Sequence, residues 1–159
     1  MNTGRLTHVD ETGAARMVDV SAKDVTVRTA SATGRVLLAG AAVRALRGGE
    51  VPKGDALAVA RIAGIAGSKR TPDLIPLCHP IALHGVTVDL DVEDWGVSIV
   101  ATARTADRTG VEMEALTAVS IAALALVDMV KAIDPAAVIS DIQVKEKTGG
   151  KTGIWKRPS

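Results

Sequence analysis

The longest apolar pattern in the chain runs from Gly110 to Asp134, GVEMEALTAVSIAALALVDMVKAID. Glu112 and Glu114 fall in its first turns and Lys131 in its last full turn, the order of charge that a helix dipole favours. Asp134-Pro135 ends it. From Ala115 to Val127 no residue is charged, so no polar stripe separates a wet face from a dry one. The pattern predicts a helix over 110–134 that is buried around most of its circumference. Its uncharged run is shorter than the roughly twenty residues of a bilayer crossing, which makes it a core helix.

Other stretches alternate with a period of two. Val86, Val88, Leu90 and Val92 share one face of a strand, and Thr87, Asp89, Asp91 and Glu93 the other. Across a turn at Asp94-Trp95-Gly96, Val97–Arg104 continues as the second strand of an antiparallel hairpin with one wet face. Val138–Lys145 alternates again as a final strand, and Arg35–Ala39 reads as a short first one. Helices are predicted at about Ala41–Arg47, ended by Gly48-Gly49, and from an Asp55 N-cap through Ala66. Lys69-Arg70 reads as a solvated C-terminal pair, and Pro72 as the stop. Residues 1–30 lack a sustained helical period and read as an extended arm covering another surface. His8, Arg16, Lys23 and Arg28 are its solvated polar groups, with Arg28 alternatively pointing into a site. Residues 146–159 form a Gly/Lys-rich tail. One domain over 1–159 follows, an α+β two-layer sandwich with an antiparallel sheet packed on helices.

Composition narrows the function. With 19 basic and 18 acidic residues, the charge balance favours neither a nucleic acid nor a membrane surface as partner. There is no Phe and no Tyr, and Trp95 and Trp155 are the only aromatic platforms, which argues against base-stacking modules. Cys78 is the single cysteine, so an internal disulfide and a CxxC metal site are excluded. No basic-then-apolar leader opens the chain, and a cytoplasmic location is expected. A core of Ala, Val, Leu and Ile in a chain this small suggests support from oligomerisation.

Candidate chemistry sits at three places. Asp128 and Lys131 are three residues apart and neighbours on one helical face. They form either a local ion pair at a helix end or a carboxylate and an amine carried into a pocket, where burial would shift their proton affinities. Lys53 precedes the Asp55 cap, where a cation does not help the helix; it is an indifferent loop residue or meets an anion. In Leu74-Ile75-Pro76-Leu77-Cys78-His79-Pro80 two prolines make a rigid loop that displays a thiol and an imidazole. His79 suits a polar contact or proton carrier near neutral pH, and a lone Cys-His pair is a poor metal signature. The Gly150-Lys151-Thr152 of the tail is not a phosphate loop, because the first glycine of that motif would fall on Lys145. Lys147 and Lys151 either contact an anion or belong to a flexible basic tail.

AGIAGSKRTPDLIPLCHP, TGVEMEALTAVSIAALALVDMVKAID and KTGGKTG, with LTHVDETGAARMVDVSAK near the start, resemble the molybdenum cofactor biosynthesis protein C family, the cyclic pyranopterin monophosphate synthases. The resemblance runs from Leu6 to Gly153. It departs at Ile81, where the family usually has Leu, and in the variable stretch before Lys53. It implies a ferredoxin-like fold assembled as a hexamer, a trimer of dimers with sites at the dimer interface. It implies a substrate, 3′,8-cyclo-7,8-dihydroguanosine 5′-triphosphate, that is rearranged to cyclic pyranopterin monophosphate with release of diphosphate by a lyase. By matching motifs, Asp128, Lys53 and Lys131 are catalytic. Leu77, Cys78, His79, Met113, Glu114, Arg28, Arg108, Glu112 and Lys147 contact substrate. Neither a cofactor nor a metal is implied. The competing class is a non-catalytic oligomeric protein that binds nucleotides or other anions through the same cations, but that role gives no reason for a carboxylate at Asp128.

Overall fold

The computed structural model of the chain describes residues 7–159, so the first six residues of the expected arm lie outside it. Alternating small residues carry strand β1 (Thr26–Leu37), whose Ala30, Ala32 and Val36 are fully buried. It pairs antiparallel with β3 (Gly96–Asp107) on one side and β4 (Val138–Thr148) on the other. β2 (Gly85–Glu93) pairs with β3 as the expected hairpin. β5 (Trp155–Lys156) adds an edge to β4, giving the order β2-β3-β1-β4-β5. Helices α1 (Gly40–Gly48), α2 (Ala56–Ser68) and the short α3 (Thr71–Leu74) lie between β1 and β2, and α4 (Glu112–Val130) between β3 and β4. With its first four strands in that order, the sheet has the β-α-β-β-α-β connection of ferredoxin-like folds.

α4 is the spine. Ala115, Ala118, Val119, Ala122, Ala123, Leu126 and Val130 are fully buried, packed against β1, β3, β4 and α2. By length and hydropathy alone α4 would cross a bilayer, but more than half of it is buried inside the domain. The buried stripe of α2, Ala56, Ala60, Gly64 and Ser68, recurs every fourth residue. A Cβ on Gly64 would lie 2.8 Å from Ala118 O and 3.0 Å from the Ala122 Cβ, so the two helices touch at backbone distance.

Four expectations are corrected. β1 begins at Thr26, well inside the arm, because Ala, Thr and Ser give little contrast between its faces and pairing with two neighbours supplies the order. α4 stops at Val130, and buried Asp134 instead accepts hydrogen bonds from Ala39 N (2.7 Å) and Ala136 N (3.0 Å), tying the end of α4 to the start of α1. Pro72 does not simply stop α2; it sits in the first turn of α3. The tail is not loose, since β4 runs to Thr148 and the chain turns back through Gly149 and Gly150 into β5. Both glycines have positive φ, and a Cβ on either would overlap Val27 O or the Arg28 guanidinium.

Candidate active site

Lys53 is positioned by a loop that the fold fixes at both ends. Val51 is buried, its carbonyl accepts from Gly54 N at 3.0 Å, and Asp55 caps α2 by accepting from Ala58 N at 3.0 Å. The turn between them puts the Lys53 ammonium 3.1 Å from Asp128 Oδ2, while Lys131 Nζ lies 2.7 Å from Asp128 Oδ1. The lysine ahead of α2 does meet an anion, and the anion is the chain's own carboxylate. The hydrogen bond from Lys131, then that from Lys53, holds the Asp128 carboxyl below the usual carboxylate range. The reading in which burial shifts Asp128 and Lys131 does not hold: both, and Lys53 with them, have side chains roughly half exposed. Asp128 is on the open side of α4, and paired charge rather than desolvation tunes it.

A second cluster gathers at the other end of α4. Leu77, Cys78, His79, Glu112, Met113 and Glu114 line a cavity of about 300 Å³. His79 Nε2 donates to Val18 O, which fixes the tautomer and leaves Nδ1 as the ring's remaining site. Glu114 is 3 % exposed, and burial pushes its carboxyl up to about 7, with the charge of Glu112 adding to the rise. Burial, then the Glu114 charge, raises the Cys78 thiol, the opposite of what a nucleophilic cysteine needs. Lys147 pairs with Glu112 at 3.1 Å. Arg28 Nε donates to Asp107 O (3.1 Å), and Arg108 Nε to Lys23 O (3.1 Å). Arg108 lines an adjoining cavity that shares His79, Val18, Val20 and Thr109 with the first. Sequence reasoning missed the far wall: His8, Lys23 and Thr109 also line the Glu114 cavity. The arm does cover another surface, and that surface is this site. Among the described residues, no three His, Cys, Asp or Glu side chains cluster as a metal site.

The two clusters are not one pocket in this chain. Glu114 and Asp128 are fourteen residues apart on α4, roughly 21 Å along its axis at about 1.5 Å per residue.

The profile of the MoaC family matches residues 17–150, a span that takes in both clusters. The chain belongs to the MoaC family. Within it, the chain is similar to the cyclic pyranopterin monophosphate synthase of Streptomyces coelicolor, 71% identical over 96% of this chain and 90% of the relative. The synthase of a Nocardioides species is 68% identical over 97% and 96%. Cyclic pyranopterin monophosphate synthase 2 of Mycobacterium tuberculosis is 57% identical over 98% and 93%.

The buried carboxyl of this MoaC chain carries a pH signature. A carboxyl at about 7 in the fold, against an ordinary value of 4.5, binds its proton more tightly folded than unfolded. Its stabilising contribution is therefore full below pH 4.5 and lost as pH rises through about 7. The melting temperature should fall between pH 5 and pH 8, and Glu114→Gln should flatten that slope. Equal slopes in the two proteins would assign the titration elsewhere. Asp128, shifted the other way, loses its contribution only under more acid conditions.

Proposed function

We infer that the chain is a cyclic pyranopterin monophosphate synthase of molybdenum cofactor biosynthesis, a lyase. It converts 3′,8-cyclo-7,8-dihydroguanosine 5′-triphosphate to cyclic pyranopterin monophosphate and diphosphate. The observation that carries this reading is the Lys53–Asp128–Lys131 group, an ionised carboxylate between two ammonium groups in a MoaC-family chain. Opening a purine-derived ring and closing a pterin require protons to be removed and returned, which a carboxylate flanked by amines supplies. Closing the cyclic phosphate expels diphosphate, and the lysines offset its developing charge. The cavity at the start of α4 suits the heterocycle. Its Glu114 carboxyl, poised near neutrality, both donates and accepts, and His79 lines the same cavity.

A working site takes Asp128, Lys53 and Lys131 from one copy and the Glu114 cavity from another. Three observations support this. The clusters stand too far apart along α4 to hold one nucleotide, and the triad lies open to water where a reaction needs shielding. Leu124, one turn before Asp128, is 56% exposed, and Ile62 of α2 is 67% exposed, an apolar surface that a second copy covers. A homohexamer, built as a trimer of dimers in the cytoplasm, accommodates such sites at the dimer interface. The test is incubation with the cyclised GTP intermediate. Diphosphate and an oxidisable pterin should appear in equal amounts. Tight binding without diphosphate would contradict the reading and leave a non-catalytic anion-binding protein.

A further inference from the structure

β5 builds something that the matched family span, which ends at residue 150, does not contain. Trp155 pairs with Lys147 across the hairpin, Arg157 N donates to Lys145 O (2.8 Å), and Arg157 Nε donates to Val144 O (2.7 Å). These bonds hold Trp155 and Arg157 over a cavity of about 430 Å³, whose other walls include Ile154, Glu112 and Lys147. Glu112 lines this cavity and the Glu114 cavity alike, so the two meet at one side chain.

The chemistry of the walls is uneven in a useful way. Ile154 is 70% exposed and Trp155 37%, an apolar floor left open to solvent. The Arg157 guanidinium lies 5.7 Å from the centre of the Trp155 ring, and no carboxylate partners it among the described residues. Its neighbour Lys156 is different, being turned to Glu146 at 3.7 Å. With Nε committed to Val144 O, the two terminal nitrogens of Arg157 remain as a fork for an anion. Lys147, on the opposite strand, stands beside it with its charge shared with Glu112.

We propose that Trp155 and Arg157 form an outer wall of the substrate site, with Arg157 and Lys147 gripping the phosphate chain of the substrate above the Trp155–Ile154 floor. The identity of the occupant rests on the proposed function; the anion-binding chemistry of the wall does not. Arg157 is a binding residue, removed from the proton-transfer group at Asp128. Its loss should therefore appear in KM and in the affinity for diphosphate, and hardly in kcat.

The two tryptophans provide the test. Trp95 stacks on Arg35 at 4.7 Å and lines a separate cavity on the sheet, so it serves as an internal control. In the intact oligomer labelled with 5-fluorotryptophan, inorganic diphosphate should shift the Trp155 fluorine resonance and leave that of Trp95 in place. Arg157→Gln should weaken diphosphate binding and raise KM about tenfold. Arg157→Lys, which keeps the charge and loses the fork, should fall between. A Trp155 resonance unmoved at diphosphate concentrations that inhibit turnover would overturn the proposal, and so would equal shifts at both tryptophans. An unchanged KM in folded Arg157→Gln protein would overturn it too. Because the fluorine readout needs no variant, fraying of β5 in Arg157→Gln does not remove the test. A Trp155 shift in protein that does not turn over the cyclised GTP would overturn the proposed function and keep the anion wall.

Discussion

Asp128→Asn should abolish turnover while the protein stays folded and assembled. Asparagine keeps the shape and one acceptor oxygen, so Lys53 or Lys131 retains a hydrogen bond, but the carboxylate that accepts a proton between the two lysines is gone. Loss of a positioned acid–base group costs on the order of 10²–10⁴-fold in rate. The fold has little to lose at this position, because the Asp128 side chain is exposed and its polar contacts among the described residues are to Lys53 and Lys131 alone. The change instead leaves the Lys53 and Lys131 ammonium groups without the carboxylate charge that sits between them. Lys53→Ala and Lys131→Ala should also fail, and the division between kcat and KM assigns their roles. A lysine that only holds the triphosphate raises KM; one that serves the chemistry lowers kcat. Diphosphate release in a single turnover, with circular dichroism as the fold control, reads all three variants. Full activity of Asp128→Asn would remove Asp128 from the mechanism.

Much of this was legible in the chain, for physical reasons that differ from element to element. α4 announced itself because thirteen successive uncharged residues cannot form a wet helical face, and the β2–β3 hairpin because its acidic and aliphatic positions alternate strictly. β1 was hidden, since Ala30, Ala32 and Gly34 against Thr29, Ser31 and Thr33 present almost no hydropathy contrast. β5 was hidden because two residues carry no period at all, and the turn that returns it to β4 was visible only as glycines. The site divides in the same way. Asp128 and Lys131 are joined by helical spacing, which a sequence displays. The contact of Lys53 with Asp128 joins residues 75 positions apart and depends on the packing of α2 on α4. Between the two readings left open for Asp128 and Lys131, the sequence could not decide: an uncharged helix suggests burial all round, yet Leu124 and Asp128 open onto solvent in the single chain. The approach of Lys23 and His8 to Glu114 had no local signal, because nothing in an extended arm states where it lies.

The claim that one site draws on two chains is tested most directly by mixing. Asp128→Asn and Glu114→Gln are each expected to be inactive, the first for want of a proton acceptor, the second because an amide cannot titrate near neutrality in the heterocycle cavity. Combined under conditions that exchange subunits, they form mixed dimers in which one site carries both lesions and the other carries neither. With equal amounts and random pairing, about one quarter of all sites should be fully native. Diphosphate release should therefore return to about a quarter of the wild-type rate per site, and each unmixed variant should stay silent. Activity that remains absent after exchange has been verified by mass spectrometry of tagged subunits would contradict a site shared between chains.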